Sequence, residues 1–214
     1  MKIISIDTFE AEAIVVGNGC FPNNEQALSW LRNPDLYKVC CDGAADEFIK
    51  RMGKMPNAVV GDFDSISSET AVALKNIMHK VEDPEINDQT KAVNFLTGLG
   101  YHRLAILGAT GKREDHTLGN ISLLIDYMRM GIDVRMYTDY GVFIPCCDET
   151  QFSCCVHQPI SIFSMKAKGF RSEGLKYPLH ELENWWNGTL NTTLDTHFVV
   201  KAEGDYLVYM AYPE

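Results

Sequence analysis

The sequence predicts an α/β protein: a parallel-sheet α/β domain over residues 1–139, then an all-β sandwich domain over residues 140–214. Three observations carry this. Short apolar runs alternate with helical patterns as far as about residue 140, the texture of a parallel sheet with helices on its faces. From Tyr140 onward no helical period persists, and short β-rich runs are separated by Pro, Gly, Asn and Asp. Acidic residues of the first part fall regularly just after its predicted strands, at the edge of an open parallel sheet where ligands bind.

Taken in order, the predicted strands of the first domain are 13–16, 37–41, 58–60, 80–81, 103–107 and 133–137. Helices are expected over 25–32, 44–52, 68–77, 89–99 and 116–130. In the last of these, Leu118, Ile121, Ile125 and Met128 recur at helical spacing, and Gly131 is placed to end it. In the second domain the β-rich runs are 141–144, 152–156, 160–164, 198–201 and 206–212.

Composition bounds the function. At 214 residues with 46% apolar residues, the chain can bury a sizeable core. A net charge of -10 argues against binding nucleic acid or an anionic membrane through a basic face. A polyanionic ligand would then need metal ions or a few placed Lys and Arg. Asp7, Glu10 and Glu12 interrupt the run a signal peptide requires, and no stretch reaches eighteen apolar residues, so a cytoplasmic protein is expected. The sequons at Asn120, Asn187 and Asn191 are then accidental. Seven cysteines, an odd number, fit reduced thiols. Cys40-Cys41, Cys146-Cys147 and Cys154-Cys155 lack metal-site spacing, and buried strand cysteine is the better reading.

Asp42 follows the second predicted strand, and Asp62 and Asp64 the third. Asp88 follows the weak fourth strand and Asp115 the fifth. If Gly61-Asp62-Phe63-Asp64-Ser65 stays extended, both carboxylates share one face and Phe63 takes the other. Such a pair suits a hard cation bound to substrate phosphates, Mg²⁺ being the usual case; the same residues are also ordinary turn formers.

The stretch from Gly108 to His116 leaves a strand and enters a helix, so its backbone N–H groups and the helix N-terminus face whatever binds. Gly111 frees the loop, and Lys112 and Arg113 add donors for phosphate oxygens. It is not a Walker A loop, and Gly17-Asn18-Gly19 does not complete a dinucleotide fingerprint because Pro22 holds the third glycine position. Asp115 and Asp88 equally suit helix N-caps, and His116 a caged helix-start histidine. Lys91, after Thr90 in Asp88-Gln89-Thr90-Lys91, is misplaced at the positive end of a helix and so faces an anion or stands exposed.

These residues, in order, resemble the motifs of thiamine pyrophosphokinases: Cys41-Asp42-Gly43-Ala44-Ala45-Asp46, Gly61 to Ser65, Asp88 to Lys91, Gly108 to His116 with Asn120, and Gly174-Leu175-Lys176-Tyr177. The likeness runs from about Ile14 to the C-terminal strands. It implies pyrophosphoryl transfer from ATP to the hydroxyl of thiamine, giving thiamine diphosphate and AMP, with Mg²⁺ as cofactor. It also implies a homodimer with active sites between subunits. The metal-binding and catalytic acids fall on Asp62, Asp64, Asp88 and Asp115, with Arg113 supporting the phosphates. ATP contacts fall on Asp42, Gly43, Thr90, Lys91, Gly111, Lys112, Arg113 and His116. Thiamine contacts fall on Tyr177, Thr192 and Asp195. The chain departs from the family at Tyr177, where Trp is usual, at Thr192 and Asp195, where Ser and Asn are usual, and at Asp46, more often Asn.

Three rivals come from other classes. A glycosyl- or nucleotidyltransferase would use Asp62 and Asp64 as its metal pair. A phosphatase with Asp62 as nucleophile would want the acids after the first strand and a Gly where Ser65 stands. A non-catalytic nucleotide or thiamine sensor would bind without producing AMP.

Overall fold

The computed structural model describes residues 2–213, which form two compact units. The chain opens with β1 (Lys2–Ile4) and then builds the α/β unit, Ala11–Leu123 and Met130–Asp139. This unit contains β2 (Ala13–Val16), α1 (Glu25–Arg32), β3 (Tyr37–Cys41), α2 (Ala44–Met52), β4 (Ala58–Gly61) and α3 (Ser68–Leu74). A 3₁₀ turn at Lys75–Ile77 leads to β5 (Met78–Lys80), α4 (Asp88–Gly98), β6 (Arg103–Leu107), α5 (Glu114–Ser122) and, after an excursion, β7 (Asp133–Tyr137). Its strands lie in the order β7-β6-β2-β3-β4-β5, all parallel.

The strands read as they do because they are covered on both faces. All four residues of β2 and of β4 are buried, as are Leu104–Leu107 of β6, the continuous apolar runs of a parallel sheet. Helix starts are chemically marked: the side chains of Asn24, Ser67 and Asn87 accept from Ala27 N, Thr70 N and Thr90 N. β2 has β3 on one side and β6 on the other, so chain direction across the sheet reverses there. The loops after β2 and β6 flank the crevice that such a reversal opens.

The second unit comprises the N-terminal residues through Glu10, α6 (Leu124–Arg129) and the chain from Tyr140 onward. It adds β8 (Gly141–Cys147), β9 (Thr150–Ser153), β10 (Pro159–Ser164), β11 (Lys168–Glu173), β12 (Gly188–Thr192), β13 (His197–Glu203) and β14 (Asp205–Ala211). Two four-stranded sheets result, β1-β9-β13-β11 and β12-β10-β14-β8, antiparallel except for the β1–β9 pair. Phe152 stacks on Phe198 at 4.6 Å, and Phe170 of one sheet meets Tyr206 of the other edge-on at 5.8 Å, so aromatic side chains fill the space between the sheets.

Several expectations are corrected. A single cut at 139/140 places residues 2–10 and 124–129 in the first domain, whereas they pack in the second unit: β1 pairs with β9, and Arg129 of α6 forms an ion pair with Asp205. The expected helix 116–130 is two helices broken at Leu123. Ser122 donates its hydroxyl to Gly119 O, a local bond that competes with helix propagation. The apolar stripe also splits, for Leu118 is 60% exposed while Leu124, Ile125 and Tyr127 are buried. The expected strand 152–156 lies earlier, at β9, so Cys154 and Cys155 are in a loop, and Cys155 and Cys147 are exposed. The remaining Cys40, Cys41 and Cys146 are buried strand residues as read. β11 and β12 escaped notice because polar edge strands carry little apolar periodicity: in β11 Phe170 is the one fully buried residue.

Candidate functional site

The turn after β3 and the segment after β4 bring three carboxylates together. Asp42 sits at φ 43° just past β3, its N–H donating to Val60 O at 3.0 Å. Gly61 beside it has no room for a side chain, because a Cβ there would stand 2.9 Å from Asp42 Cβ. The Gly61–Ser65 segment is not extended. It bends at once, with Phe63 in the left-handed region at φ 69°, and Ser65 Oγ donates to Asp64 Oδ1 at 2.7 Å. The bend, rather than strand alternation, turns Asp62 and Asp64 toward Asp42. One ligand oxygen from each of Asp42, Asp62 and Asp64 lies within 4.8 Å of the others.

The three acids differ in environment. Asp62 and Asp64 are exposed, whereas Asp42 is 2% exposed and its Oδ1 is buried with no hydrogen-bond partner among the described residues. Burial pushes the Asp42 carboxyl up to about 6; the charges of Asp88, Asp64 and Asp62 add to this, while the Ser65 N–H, 3.4 Å from Oδ2, opposes it. A buried carboxylate oxygen with no donor beside two solvated carboxylates is a donor set that fits a hard divalent cation.

Next to this group α4 begins. Asp88 is its first residue, and Lys91, its side chain 4% exposed, donates to Asp88 Oδ1 at 2.9 Å and stands 3.9 Å from Asp62 Oδ2. Burial works against the ammonium, but the Asp88 hydrogen bond and the nearby carboxylates outweigh it and hold its pKa above the ordinary value. Asp46, where Asn is more usual, accepts from Ser67 N and Oγ at 2.9 and 2.5 Å. It therefore ties α2 to the start of α3, directly after the bent segment.

Across the crevice the loops after β2 and β6 are laced together. Gly19 N donates to Gly108 O at 2.7 Å and Cys20 N to Thr110 O at 2.8 Å. A Cβ on Gly19 would lie 2.3 Å from Thr110 O, so the approach requires glycine. Lys112 Nζ donates to Asn18 Oδ1 at 3.1 Å. Arg113 grips Asp115 through Nε at 3.1 Å and Nη2 at 2.5 Å, which holds the Asp115 carboxyl down at about 2. Asn120 donates to Ala109 O and accepts from Asn87 Nδ2, each at 2.8 Å, linking α5, the glycine loop and the cap of α4.

A concavity of about 600 Å³ results, lined by Asp62, Asp88, Lys91, Gly111, Lys112, Arg113 and His116 among the expected residues. Asp42 and Asp64 join Asp62 in the acidic group. Gly43 stands against Ser65, Thr90 occupies the first turn of α4, and Asp115 is turned to Arg113. Of the expected metal ligands, then, Asp62 and Asp64 cluster, Asp88 is bound to Lys91, and Asp115 is outside the group, whose third member is Asp42. Sequence reasoning did not select Gly17, Asn18, Gly19 and Asn87, which also line the cavity. The first three follow a fully buried strand, and that position was a usable signal.

The expected acceptor residues lie in the second unit. Tyr177 is 56% exposed; its N–H donates to Asn191 Oδ1 at 3.1 Å, and Asn191 Nδ2 returns a bond to Tyr177 O at 2.7 Å. Lys176 N donates to Thr192 O, and Thr192 Oγ1 to Gln158 O. Tyr177 and Thr192 are thus brought together, with Tyr177, Leu179, His180 and Leu190 around a concavity of about 420 Å³. Asp195 is exposed and accepts from Thr196 N at 2.7 Å. Asn120 and Asn191 are engaged in hydrogen bonds through their side-chain amides. Trp185 and Trp186 are half exposed, with Trp185 stacked on Phe163. No helix among the described residues is long and apolar enough to cross a membrane.

Comparison with known proteins adds to this geometry. The family "Thiamin pyrophosphokinase, catalytic domain" matches residues 29–136, just over half of the chain, and "Thiamin pyrophosphokinase, substrate-binding domain" matches residues 141–209. Thiamin pyrophosphokinase 1 of Caenorhabditis elegans is 31% identical over 106 residues, 46% of this chain and 43% of that protein. Thiamine pyrophosphokinase 1 of Oryza sativa subsp. japonica is 31% identical over 162 residues, 64% of this chain and 60% of that protein. The chain thus spans about half the length of these curated relatives. Among solved structures, yeast thiamin pyrophosphokinase superposes with a TM-score of 0.79 at 15% identity, covering 99% of this chain and 91% of that one. Thiamine pyrophosphokinase from Bacillus subtilis gives 0.76 at 18% identity, covering 94% and 100%. At these identities the structures speak for the fold.

Proposed function

The chain belongs to the thiamin pyrophosphokinase family, and from that premise we propose that it transfers the pyrophosphoryl group of ATP to the hydroxyl of thiamine, releasing AMP. The observation that carries this reading is the pairing of a three-carboxylate group with a glycine-and-cation loop around one crevice. The acids Asp42, Asp62 and Asp64 would hold Mg²⁺, with Asp88 beside them. A divalent ion held there would supply charge neutralisation for the substrate's phosphate groups.

The remaining work falls to positioning and charge. In the reaction, the thiamine oxygen forms a bond to the β-phosphorus, the bond from that phosphorus to the α–β bridging oxygen breaks so that AMP leaves with that oxygen, and the hydroxyl proton passes to solvent. Lys112 and Arg113 meet phosphate oxygens from the loop side, and His116 stands at the same wall. Asp115, gripped by Arg113 and held at about 2, is a weak base; its part is to orient the guanidinium. Thr90 and Gly43 belong to the first turns that carry this machinery. Tyr177, with Thr192 brought beside its segment by the Lys176 N–Thr192 O bond and Asp195 three residues further on, offers an aromatic face to the thiamine rings. The homodimer implied by the family resemblance and the cytoplasmic setting expected from the sequence belong to the same proposal, and seven free thiols are compatible with a reducing compartment.

The test is release of AMP and thiamine diphosphate from the purified protein with ATP, Mg²⁺ and thiamine. Thiamine-dependent AMP formation that stops on adding EDTA is the expected result. Binding of ATP or thiamine with no AMP would replace the enzyme reading by the sensor, and AMP-free turnover of a nucleotide sugar by the glycosyltransferase.

A further inference from the structure

Lys91 is a cation in an unfavourable place. It lies in the first turn of α4, where the helix dipole opposes positive charge. Its side chain is 4% exposed, yet it forms part of the cavity wall. A buried ammonium persists only when paired, and here the partners are two residues of the acidic site. Asp88 is held by a direct hydrogen bond at 2.9 Å. Asp62, at 3.9 Å, is beyond hydrogen-bond reach and feels the ammonium only as a charge. Asp62 Oδ2 is therefore left open to another ligand, while Oδ1 accepts a long bond from Asp64 N at 3.4 Å, and the Asp42 Oδ1 is buried with no partner among the described residues.

We propose that Lys91 is a positioning residue, the resident counter-cation of the acidic group, which ties Asp88 in place beside Asp62 before a divalent ion binds and limits how tightly that ion is held. The inference rests on the reading of Asp42, Asp62 and Asp64 as a divalent-cation site. Without Lys91, Asp42, Asp62, Asp64 and Asp88 would repel one another across a shared crevice. With it, one positive charge offsets that repulsion and competes with the incoming ion. A lysine serving only as a phosphate ligand would behave differently, because its removal would weaken nucleotide binding and leave the ion's own affinity untouched.

The experiment measures Mn²⁺ binding to the full chain by electron paramagnetic resonance, without nucleotide, in wild type, Lys91→Met and Lys91→Arg. Removing a unit charge that stands 3.9 Å from Asp62 Oδ2 is expected to tighten binding of the doubly charged Mn²⁺ by roughly ten- to thirtyfold. Lys91→Arg, which keeps the charge, should stay within about twofold of wild type. In the AMP assay Lys91→Met should lose kcat, as Asp88 is no longer held, while reaching half-saturation at lower Mg²⁺. Should the methionine variant not fold, Lys91→Gln, neutral but still a donor to Asp88, carries the same expectation for Mn²⁺ affinity, with kcat less affected because Asp88 keeps a partner. Unchanged or weaker Mn²⁺ binding in the neutral variants overturns the proposal, as does Lys91→Arg binding as tightly as they do. A wild-type protein that binds no Mn²⁺ overturns the cation site itself, a separate failure visible before any variant is made.

Discussion

Replacing Asp42 by Asn removes a charge from the most buried member of the acidic group, so the ion-free fold should gain stability as the site loses its ion. Burial, with the nearby acids, lifts the Asp42 carboxyl from 3.8 to about 6. At 1.36 kcal/mol per unit, holding it ionised in the fold at pH 7 costs about 3 kcal/mol relative to the unfolded chain. The folded-state value lies above the unfolded one, so this cost is full above pH 6 and vanishes below 3.8. Asn keeps an oxygen for the Ser65 N–H and removes the charge. For a chain of this size, 1 kcal/mol shifts Tm by roughly 2–4 °C. In EDTA at pH 7.5, Asp42→Asn should therefore melt roughly 6–12 °C above wild type by circular dichroism, with the gain about halved at pH 5. Added Mg²⁺ should stabilise wild type and leave the variant unchanged. A variant no more stable than wild type in EDTA, or a gain that ignores pH, would refute the reasoning.

Other expectations concern the same crevice and the second unit. Asp64→Ala, at an exposed position, should leave Tm within about a degree or two and lower AMP formation at least about a hundredfold; comparable turnover would remove Asp64 from the site. Gly19→Ala forces a Cβ toward Thr110 O and must part the two laced loops. A loss of about 1–3 kcal/mol in urea unfolding, with a raised KM for ATP, is expected, and an unperturbed KM would detach that loop from nucleotide binding. Tyr177→Trp enlarges the aromatic face, so KM for thiamine should fall by about two- to fivefold with kcat unchanged; a rise would place the thiamine rings elsewhere.

The α/β unit was legible because its signals are local. Buried parallel strands are continuous apolar runs, and the starts of α1, α3 and α4 are marked by a capping Asn or Ser. The acids could be placed at the carboxyl edge for the same reason, since each lies after a strand, Asp62 and Asp64 sharing β4. The edge strands β1, β11 and β12 were not legible. Each is short or polar, and each exists because a partner strand distant in sequence hydrogen-bonds to it.

The helix break at Leu123 depends on how the apolar residues of α5 and α6 differ in exposure. A periodic stripe does not by itself report that difference.

What the sequence determined by itself is the class of fold, the run of the parallel strands, and the residue types gathered at the edge of the sheet. What the tertiary structure decided is how those residues combine. Phe63 in a left-handed turn, not strand alternation, puts Asp64 beside Asp62. The end of β3, with Gly61 against it, buries Asp42 and makes it the third member in place of Asp88 or Asp115. Lys91, read from spacing as a surface or phosphate-facing cation, is instead buried between two carboxylates. Burial and charge pairing join residues from separate loops of the chain, here twenty to fifty positions apart, and no local pattern encodes distances across such a gap.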